Sequence, residues 1–363
     1  MVEKIDRQAE FSGTKQVPEK LAIDIKSLNL YLADHVPGFS EILEFTQFKG
    51  GQSNPTYLVT TADKKYVLRR KPPGILLPSA HAIDREFRVI SALYDQGFPV
   101  PRPYIYCEDE TIAGTAFFLM AFNDGPVIWE PHLPEATVDQ RRAIYKAMNT
   151  TLAQLHLIDI DKAGLNDFGR PSQYVARQIK RWSSQYKQSA IDEISEMNAL
   201  MEWLPDVIPV EEKAALVHGD FRLDNLILTP DKTGIAAVLD WELSTLGDPL
   251  ADFTYHLMQW KMPPSKTGAG TGSLANHDLK ALGIPDLDTY VEHYCRQTGR
   301  TDIENLNFYF AYNFFRLAAI LQGIVGRVRD GTATNAHASA MATRVPPLAK
   351  CAWQYAVSAG AGS

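Results

Sequence analysis

The chain has 363 residues, which is too long for one small core and predicts one large two-lobed unit or two domains. Hydrophobic residues make up 45% and charged residues 22%, which is ordinary for a soluble globular protein. The net charge of −7 is modestly acidic, and it argues against a dedicated nucleic-acid-binding protein.

Cysteines and apolar runs bear on the cellular setting. Cys107, Cys295 and Cys351 lie far apart with no CxxC pair, so we expect neither a disulfide framework nor a zinc site. The first residues, MVEKIDRQAEFSGTKQ, lack the apolar region of a signal peptide. No run of about 18 uninterrupted apolar residues occurs. These features predict a cytoplasmic protein with no membrane partner and no nucleic-acid partner.

The first third of the chain is predicted to form a small sheet. Residues 1–20 are polar, and we expect a flexible N-terminal arm there. Between residues 40 and 122 the pattern indicates three strands, one helix and two more strands. The helix is expected within residues 79–97, with Ser79 as its N-cap and Gly97 as its C-terminal stop.

Helical periodicity dominates after Asn123-Asp124-Gly125-Pro126. The segment PPSKTGAGTGS is a loop by composition, and its GAGTG is no dinucleotide motif because no strand precedes it. The C-terminal SAGAGS is expected to be a flexible tail. Helices are predicted at residues 137–158, 171–204, 248–260, 288–300, 302–326 and 333–357.

Polar residues interrupt an apolar stretch at residues 217–228, VHGDFRLDNLIL. Burying such groups without partners costs roughly 1–3 kcal/mol each, so their presence here needs an explanation. Asp220 and Asn225 are five residues apart, and Asp240 ends the following apolar run IAAVL. This H-x-D-x-x-x-x-N spacing, followed by a strand that ends in Asp, is typical of kinases.

These residue types suit phosphoryl transfer. Mg²⁺ bridges the phosphate oxygens of a nucleotide and prefers hard oxygen ligands, which Asn225 and Asp240 would supply from adjacent strand ends. Asp220 would then face the acceptor hydroxyl, orient it and take its proton as the new bond forms.

The neighbouring residues of this segment admit other interpretations. His218 is expected to hydrogen-bond the backbone and hold the loop in shape, which is close to the role of an ordinary buried histidine. A polar hairpin at a sheet edge is the alternative interpretation of the whole segment, and a lone HxD would favour it. Arg222 and Asp224 receive no role.

HGDFRLDN and VLDWELSTLGDPLAD resemble the catalytic and metal loops of the aminoglycoside phosphotransferase / choline kinase family. Gly219 stands where protein kinases have the Arg of HRD, and DWE replaces DFG. The resemblance covers roughly residues 40–340, and it implies ATP-dependent phosphorylation of a small-molecule hydroxyl with ATP and Mg²⁺.

The resemblance also implies an α+β, bilobal protein-kinase-like fold. A small antiparallel-sheet N-lobe with one helix, residues 21–122, would bind the nucleotide. A larger, mainly helical C-lobe, residues 123–358, would carry the catalytic and metal loops and the acceptor site. Residues 359–363 would form the flexible tail.

A nucleotide needs a basic side chain on its phosphates, held by an acid on the helix behind it. YVLRR offers Arg69 at the position of the usual lysine, and Glu86 lies in the following helix. Arg also binds phosphate well. Lys71 shares a strand face with Arg69 but adjoins Pro72-Pro73, so it is the second choice. A surface ion pair is the alternative interpretation of Arg69 and Glu86.

The position of KGGQSNPTY before the Arg69 strand makes it the candidate loop over the phosphates. Gly50 and Gly51 permit close backbone approach, while Ser53 and Asn54 offer hydrogen bonds. Taken alone it would be an ordinary hairpin turn. From the resemblance, FFLMAFNDG would be the hinge between lobes, with backbone groups near Met120 and Phe122 meeting adenine.

Two acids follow the metal loop in LGDPLADF. Asp248 before Pro249 is typical of an N-cap and is expected to be structural. Asp252 is predicted either to brace the catalytic loop or to stabilise the first turn of the helix through its dipole.

The charge balance of the helical region favours an anionic acceptor over a polycationic aminoglycoside. From residue 260 onward there are ten Lys/Arg against seven Asp/Glu. The segment 170–187 carries five basic residues and no acid, and Arg177, Lys180 and Arg181 are candidate substrate ligands. A solvated helix face is the alternative for each of them.

RRKPPGILLPSAHAIDREFRV and NFFRLAAILQGIVGR resemble the kinase-like domains that occur fused to, or alongside, acyl-CoA dehydrogenases. This implies a hydroxylated acyl group, as a CoA ester or a hydroxy acid, and a partnership with an acyl-CoA dehydrogenase. The aromatic run NFYFAYNFF would line an acyl pocket or form an ordinary core helix. Arg316 is a candidate substrate ligand, or a residue whose side chain snorkels toward solvent or pairs with a carboxylate.

Three other functions compete with a small-molecule kinase. A non-catalytic nucleotide-binding module, acting by interaction, is favoured by the unusual glycine loop and by Arg69, and disfavoured by the intact Asp220, Asn225 and Asp240. A protein kinase is disfavoured because DWELSTLGDP runs straight into a helix with no activation loop. A metal-dependent hydrolase is weaker still, since a single His lies near the acids.

Overall fold

The computed structural model describes residues 6–50, 54–74, 82–265, 272–330 and 338–362. Two parts follow each other along the chain, an antiparallel sheet with flanking helices and then a mainly helical region. The predicted α+β, two-lobed kinase-like fold is confirmed. Between residues 40 and 122 the three strands, the helix and the two further strands occur in the predicted order, with an additional short helix, Glu110–Ala113, between the last two strands.

A six-stranded antiparallel sheet forms the N-lobe, with strand order β1-β2-β3-β4-β6-β5. Its strands are β1 (Thr14–Lys15), β2 (Ile42–Phe48), β3 (Thr56–Thr61), β4 (Lys65–Arg70), β5 (Pro103–Cys107) and β6 (Phe117–Ala121). The helices around it are α1 (Arg7–Phe11), α2 (Ile25–His35), α3 (Ile83–Asp95) and α4 (Glu110–Ala113).

Strand alternation decides which face each residue of β4 occupies. Leu68 lies on the face covered by α2, within a cluster that includes Leu28 and Leu32. Val67 lies on the opposite face, in the larger core that continues into the helical region. Because side chains alternate along a strand, Arg69 shares the face of Val67 and points toward the other lobe.

Helix α3 ends as its sequence predicts. Gly97 has a φ of 72°, and its N–H donates to the carbonyl of Tyr94 at 3.0 Å. The N–H of Phe98 reaches back to the carbonyl of Leu93, which completes a glycine-terminated helix end. The predicted N-cap Ser79 lies outside the described residues, and the helix begins at Ile83 after Ala82.

Two expectations about the N-lobe were wrong. Residues 7–15 are not a flexible arm, because β1 pairs with the edge strand β2 through Thr14 and Phe48, and Arg7 forms an ion pair with Asp224. The N-lobe also contains more than one helix. Helix α2 begins at the N-cap Asp24 and buries an i, i+4 apolar pair, a signal that the sequence carries.

The C-lobe is built from helices and two short antiparallel pairs, β7 with β10 and β8 with β9. The predicted run 171–204 is two helices, since Ile191-Asp192-Glu193 interrupts it. The strands are β7 (Ala215–Val217), β8 (Leu226–Leu228), β9 (Ile235–Val238) and β10 (Thr245–Gly247). The helices are α5 (Val138–His156), α6 (Tyr174–Ser189), α7 (Ser195–Asp206), α8 (Pro249–Lys261), α9 (Leu279–Leu282), α10 (Leu287–Thr298), α11 (Leu306–Arg329), α12 (Ala338–Ala342) and α13 (Val345–Ser358).

Helix α11 is the centre of the C-lobe. Of the helices in the described part of the chain, it alone has the length and apolar composition of a membrane span, yet 78% of its most apolar window is buried inside the fold. This burial is the pattern of a core helix. The aromatic run of α11 is therefore core, as its alternative interpretation held, with Phe314 and Phe315 fully buried.

The expected flexible tail was wrong for residues 359–362. Gly360 has a φ of 100°, and the N–H of Ala361 donates to the carbonyl of Ala356 at 2.9 Å. Ala361 is buried, so the end of α13 closes in a glycine-terminated turn. Most of the predicted loop 263–273 lies outside the described residues.

Candidate active site

Two neighbouring loops bring the predicted catalytic and metal-binding residues together. The first joins β7 to β8 and carries Asp220 and Asn225, and the second follows β9 and carries Asp240. Leu226 pairs with Val238, and the N–H of Leu239 donates to the carbonyl of Asn225 at 2.8 Å. This register sets Asn225 beside the start of the Asp240 loop, as expected from the spacing.

Asn225 is oriented by Asp220. Its Nδ2 donates to the carbonyl oxygen of Asp220 at 2.9 Å and to Oδ2 of the same residue at 3.1 Å. Since both partners are acceptors, the amide nitrogen faces Asp220 and the Oδ1 oxygen lies on the opposite side of the amide. An oxygen in that position is available as a ligand for a hard cation.

His218 shapes the loop through backbone contacts, as predicted. The N–H of Asp220 donates to Nδ1 at 3.2 Å, which makes Nε2 the protonated nitrogen that donates to the carbonyl of Leu239 at 2.9 Å. The imidazole therefore links the catalytic loop to the residue before Asp240.

Asp252 braces the catalytic loop, which decides between its two predicted roles. Its carboxylate accepts hydrogen bonds from the backbone N–H groups of His218 and Gly219, each at 2.8 Å, and contacts His156 Nε2 at 3.1 Å. Burial would raise the pKa of Asp252, but the hydrogen bonds from His156 and His218 outweigh burial and lower it. Asp248 is the N-cap of α8, as predicted.

Arg316 also holds this loop. Its side chain is buried, its Nη2 donates to the carbonyl of Gly219 at 2.8 Å, and its guanidinium lies over the ring of Tyr255. This placement differs from the substrate contact expected for Arg316, because the donor atom is already committed to the loop backbone beneath Asp220.

The other candidate substrate ligands lie on α6. Arg177 donates to the carbonyl of Arg170 at 2.6 Å, Lys180 is exposed, and the exposed Arg181 lies over Trp182. These contacts are local to α6 and the segment before it, which agrees with the alternative of a solvated helix face.

Arg69 connects the N-lobe to the metal loop. Its Nε lies 2.8 Å from Glu86 Oε2, its Nη2 lies 3.0 Å from Asp240 Oδ1, and its Nη1 reaches Thr56 Oγ1 at 3.4 Å. The relative exposure is 7% for Arg69 and 3% for Glu86, so the alternative of a surface ion pair is wrong. Burial would lower the pKa of Arg69, but Glu86 and Asp240 outweigh burial and raise it.

The end of β4 distinguishes Arg69 from Lys71, the two candidates for binding phosphate. The strand stops at Arg70, and the Lys71 backbone bridges to Ala116 and Thr115. Of the two candidates, Arg69 is the one that pairs with Glu86 and reaches Asp240.

The candidate phosphate loop is only partly described. Gly51 and Ser53 lie outside the described residues. Gly50 packs against α1, where an added Cβ would lie 3.4 Å from the carbonyl oxygen of Phe11. Asn54 is buried, and its carbonyl accepts a hydrogen bond from Thr56 Oγ1 at 3.0 Å.

The expected hinge passes from β6 into the C-lobe. Met120 is buried in the core that joins the two lobes, and the N–H of Phe122 donates to the carbonyl of Lys65 at 3.3 Å. An adenine contact at Phe122 would therefore use a group other than this N–H. Farther along, a Cβ on Gly125 would lie 2.0 Å from the carbonyl oxygen of Leu228, so only glycine fits where the hinge crosses β8.

Two residues that sequence analysis left without a role contact Asp220, and two more extend the network from Arg222. Arg222 contacts both carboxylate oxygens, with Nε 2.8 Å from Oδ1 and Nη2 3.2 Å from Oδ2. Tyr255 donates to Oδ1 at 2.6 Å. Asp224 lies between Arg222, at 3.3 Å, and Arg7, at 3.1 Å.

The sequence indicates some of these contacts more clearly than others. Tyr255 follows Asp252 by three residues on α8, so one helix face carries both, and this could have been recognised. Burial and the Asp220 charge raise the pKa of Tyr255, which keeps its hydroxyl protonated as a donor. The Arg7–Asp224 pair joins residues 217 positions apart, and no local pattern reports it.

Asn225 and Asp240 are suitable ligands for Mg²⁺. No group of three or more His, Cys, Asp or Glu that would hold a metal occurs in the part of the chain that the structure describes. Mg²⁺ in phosphoryl-transfer sites takes one or two protein oxygens together with phosphate and water, so this pair is sufficient. The Asp240 side chain is 35% exposed and is accessible to such an ion.

A phosphotransferase enzyme family model matches residues 44–301. The chain belongs to this family. Among solved structures, a Ralstonia eutropha JMP134 protein described provisionally as an aminoglycoside phosphotransferase is 44% identical, with a TM-score of 0.84, covering 93% of this chain and 99% of that one. Choline kinase from Streptococcus pneumoniae is 15% identical with a TM-score of 0.57, over 91% of this chain and 99% of that one, and it supports the fold alone.

Curated relatives confirm the narrower resemblance. Acyl-CoA dehydrogenase family member 10 of Mus musculus is 43% identical over 96% of this chain, and member 11 of Homo sapiens is 39% identical over 94%. The present chain spans 32% of the length of member 10 and 44% of the length of member 11, so it is similar to a part of each.

Proposed function

We propose that this protein is an ATP- and Mg²⁺-dependent phosphotransferase that phosphorylates a hydroxyl of a small molecule in the cytoplasm. One observation carries the proposal: Arg69 bridges Glu86 and Asp240, while Asn225 is hydrogen-bonded to Asp220. The groups that a nucleotide, a metal and an acceptor need therefore lie in two sets of side chains, whose loops are joined by the hydrogen bond from the Leu239 N–H to the Asn225 carbonyl.

Each residue has a distinct task in this proposal. Arg69, held by Glu86, binds the phosphates of ATP, assisted by the loop that includes Gly50 and Asn54. Asn225 and Asp240 would hold Mg²⁺, which neutralises charge on the phosphate oxygens.

Asp220 orients the acceptor hydroxyl. The acceptor oxygen bonds to the γ-phosphorus as the bond to the bridging oxygen breaks, ADP leaves, and the hydroxyl proton passes to Asp220. Asp252 and Arg316 hold the loop that positions this carboxylate.

The proposed acceptor is anionic, such as a hydroxyacyl-CoA or a hydroxy acid, rather than an aminoglycoside. The cavity beside Asp220 is lined by two cations, Arg7 and Arg222, by one acid, Asp224, and by apolar residues that include Met258 and Met262. Two guanidinium groups beside an apolar surface suit an acyl group with a negatively charged end better than they suit a polycation. The relatives named acyl-CoA dehydrogenases suggest that the protein acts alongside such an enzyme.

The test is ADP release with Mg²⁺ and ATP across a panel of hydroxyacyl-CoAs, free hydroxy acids, choline, sugars and aminoglycosides. We expect turnover with an anionic class, reduced about 10²- to 10⁴-fold in Asp220→Asn. Asp139→Asn, at an exposed carboxylate, is the matched control and should keep full turnover. ATP binding with no turnover on any acceptor would instead favour a non-catalytic nucleotide-binding module.

A further inference from the structure

The Asp220 carboxylate is surrounded by four donor atoms. Tyr255 Oη and Arg222 Nε lie 2.6 Å and 2.8 Å from Oδ1. Asn225 Nδ2 and Arg222 Nη2 lie 3.1 Å and 3.2 Å from Oδ2. Among the described residues, Arg222 Nε makes no hydrogen bond in this geometry, so the carboxylate accepts three side-chain hydrogen bonds, but the guanidinium lies against both oxygens and competes with an acceptor hydroxyl for Asp220.

Arg222 is the donor that can leave. Tyr255 is buried on α8, and Asn225 is also tied to the Asp220 backbone carbonyl. The Arg222 side chain is 27% exposed, and its Nη2 already lies 3.3 Å from Asp224 Oδ2. A second carboxylate beside the guanidinium allows Arg222 to move away from Asp220 without losing all ionic contact.

The cavity next to this cluster is small. Its volume is ≈ 40 Å³, enough for a few water molecules, and its walls include Arg7, Trp129, Arg222 and Tyr255. The space for an organic acceptor beside Arg222 is therefore narrow. Displacement of Arg222 would enlarge the cavity and expose an oxygen of Asp220 in one step.

We propose that Arg222 is the anion-binding residue of the acceptor site, and that pairing with a carboxylate or phosphate of the acceptor draws its guanidinium away from Asp220. This inference rests on the proposed function. The planar guanidinium of Arg222 matches the oxygens of a carboxylate or phosphate. A neutral alcohol offers no such pairing, so it would not draw the guanidinium away from Asp220. Arg222 thus couples recognition of a negative acceptor to release of the carboxylate that orients its hydroxyl.

The coupling predicts a specific effect on the transfer of phosphate from ATP to water. The probes are propionate and propionyl-CoA, which carry the negative groups but no hydroxyl, and 1-propanol, which is neutral. In the wild-type protein we expect propionate or propionyl-CoA to stimulate Mg²⁺-ATP hydrolysis about three- to fivefold, the factor that a partly exposed ion pair is worth. 1-Propanol should have no effect.

Variants separate this role from a structural one. Arg222→Gln should hydrolyse ATP about three- to fivefold faster than wild type without any probe, and should no longer respond to the anions. Arg222→Lys keeps the charge but holds one oxygen only, so it should show a raised basal rate and a weaker response. Arg329→Gln removes an exposed arginine paired with Asp330 and should behave as wild type.

Melting temperatures with and without Mg²⁺-ATP show that each variant is folded and binds nucleotide. Suppose that ATP binds and that wild type and Arg222→Gln hydrolyse it at the same rate, or that neither hydrolyses it detectably. Either result would overturn the role of Arg222 and leave the proposed function standing. Equal stimulation by 1-propanol and propionate would also overturn it. If ATP does not shift the melting temperature of the wild-type protein, the proposed function itself fails.

Discussion

Arg69 and Glu86 form a buried ion pair, with 2.8 Å between Nε and Oε2, beneath the N-lobe sheet. The same guanidinium reaches Asp240 in the C-lobe at 3.0 Å. The position of α3, which carries Glu86, is therefore coupled to the metal loop through one side chain.

Glu86→Gln should destabilise the protein and weaken ATP binding. The substitution leaves a buried guanidinium without its strongest partner, so the free energy of unfolding should fall by about 3 kcal/mol. Urea denaturation measures this change. Asp139→Asn, which breaks an exposed pair with Arg142, should cost less than about 1 kcal/mol. Equal losses in the two variants would contradict the importance assigned to the buried pair.

Substitutions at Arg69 and Lys71 decide which residue binds the phosphates. Arg69→Gln should weaken Mg²⁺-ATP binding by at least about tenfold, because a charge-assisted contact to phosphate is lost. Arg69→Lys should retain part of the affinity, and Lys71→Gln should bind nearly as tightly as wild type. Titration calorimetry gives the dissociation constants. The reverse order, with Lys71→Gln as the weakest binder, would move the phosphate contact to Lys71.

Gly219→Ala should distort the catalytic loop. Gly219 has a φ of 82°, and an added Cβ would lie 2.9 Å from the carbonyl oxygen of Leu243. Gly38 has a φ of 71° with no heavy atom within 4 Å of the same position, so Gly38→Ala isolates the cost of the backbone conformation. That cost is about 1–2 kcal/mol.

The loss of unfolding free energy in Gly219→Ala should exceed that of the control, and its turnover should fall while Gly38→Ala keeps full activity. Chemical denaturation and the ADP-release assay measure the two effects. A loss equal to that of Gly38→Ala would show that the loop tolerates the added methyl group.

His256 predicts how stability depends on pH. Burial lowers the pKa of His256 to about 4, while an unfolded histidine titrates near pH 6.5. As the pH falls from about 6.5 toward 4, the unfolded chain binds a proton that the folded chain does not, so stability is lost in that window. Between about pH 7 and about pH 5 this single group should cost about 2 kcal/mol.

His256→Gln isolates that contribution. The amide can replace the imidazole contacts to the Phe221 carbonyl, at 3.3 Å, and to the Tyr290 hydroxyl, at 2.8 Å. Urea denaturation at both pH values should show a smaller loss in the variant by about 2 kcal/mol. An unchanged difference would mean that His256 is protonated in the folded protein.

Local patterns in the sequence predicted much of the site. The alternation of β4 and the spacing of Asp220, Asn225 and Asp240 specify which faces and loop ends these residues occupy. Backbone-binding by His218 and N-capping by Asp248 also follow from residue type and position, and the structure contains both. Such features depend on neighbours within a few residues, or on strand and helix periods that a sequence displays directly.

Contacts between distant segments could not be predicted in the same way. The ion pair of Arg7 with Asp224 structures an N-terminal segment whose polar composition suggested a flexible arm. Arg316 was expected to meet substrate, yet it lies buried beneath Gly219, because the sequence does not show which loop packs on α11. These outcomes depend on tertiary packing, which overrides local composition.

The most direct test of the central claim is transfer of labelled phosphate from γ-³²P-ATP to a hydroxyacyl-CoA or hydroxy acid, with the products separated by chromatography. We predict a labelled phosphate ester of the acceptor that requires Mg²⁺ and is formed by wild type and Asp139→Asn but not by Asp220→Asn. Label that stays in ATP or appears only as inorganic phosphate, with ATP bound and a full acceptor panel present, would contradict the assignment as a small-molecule kinase.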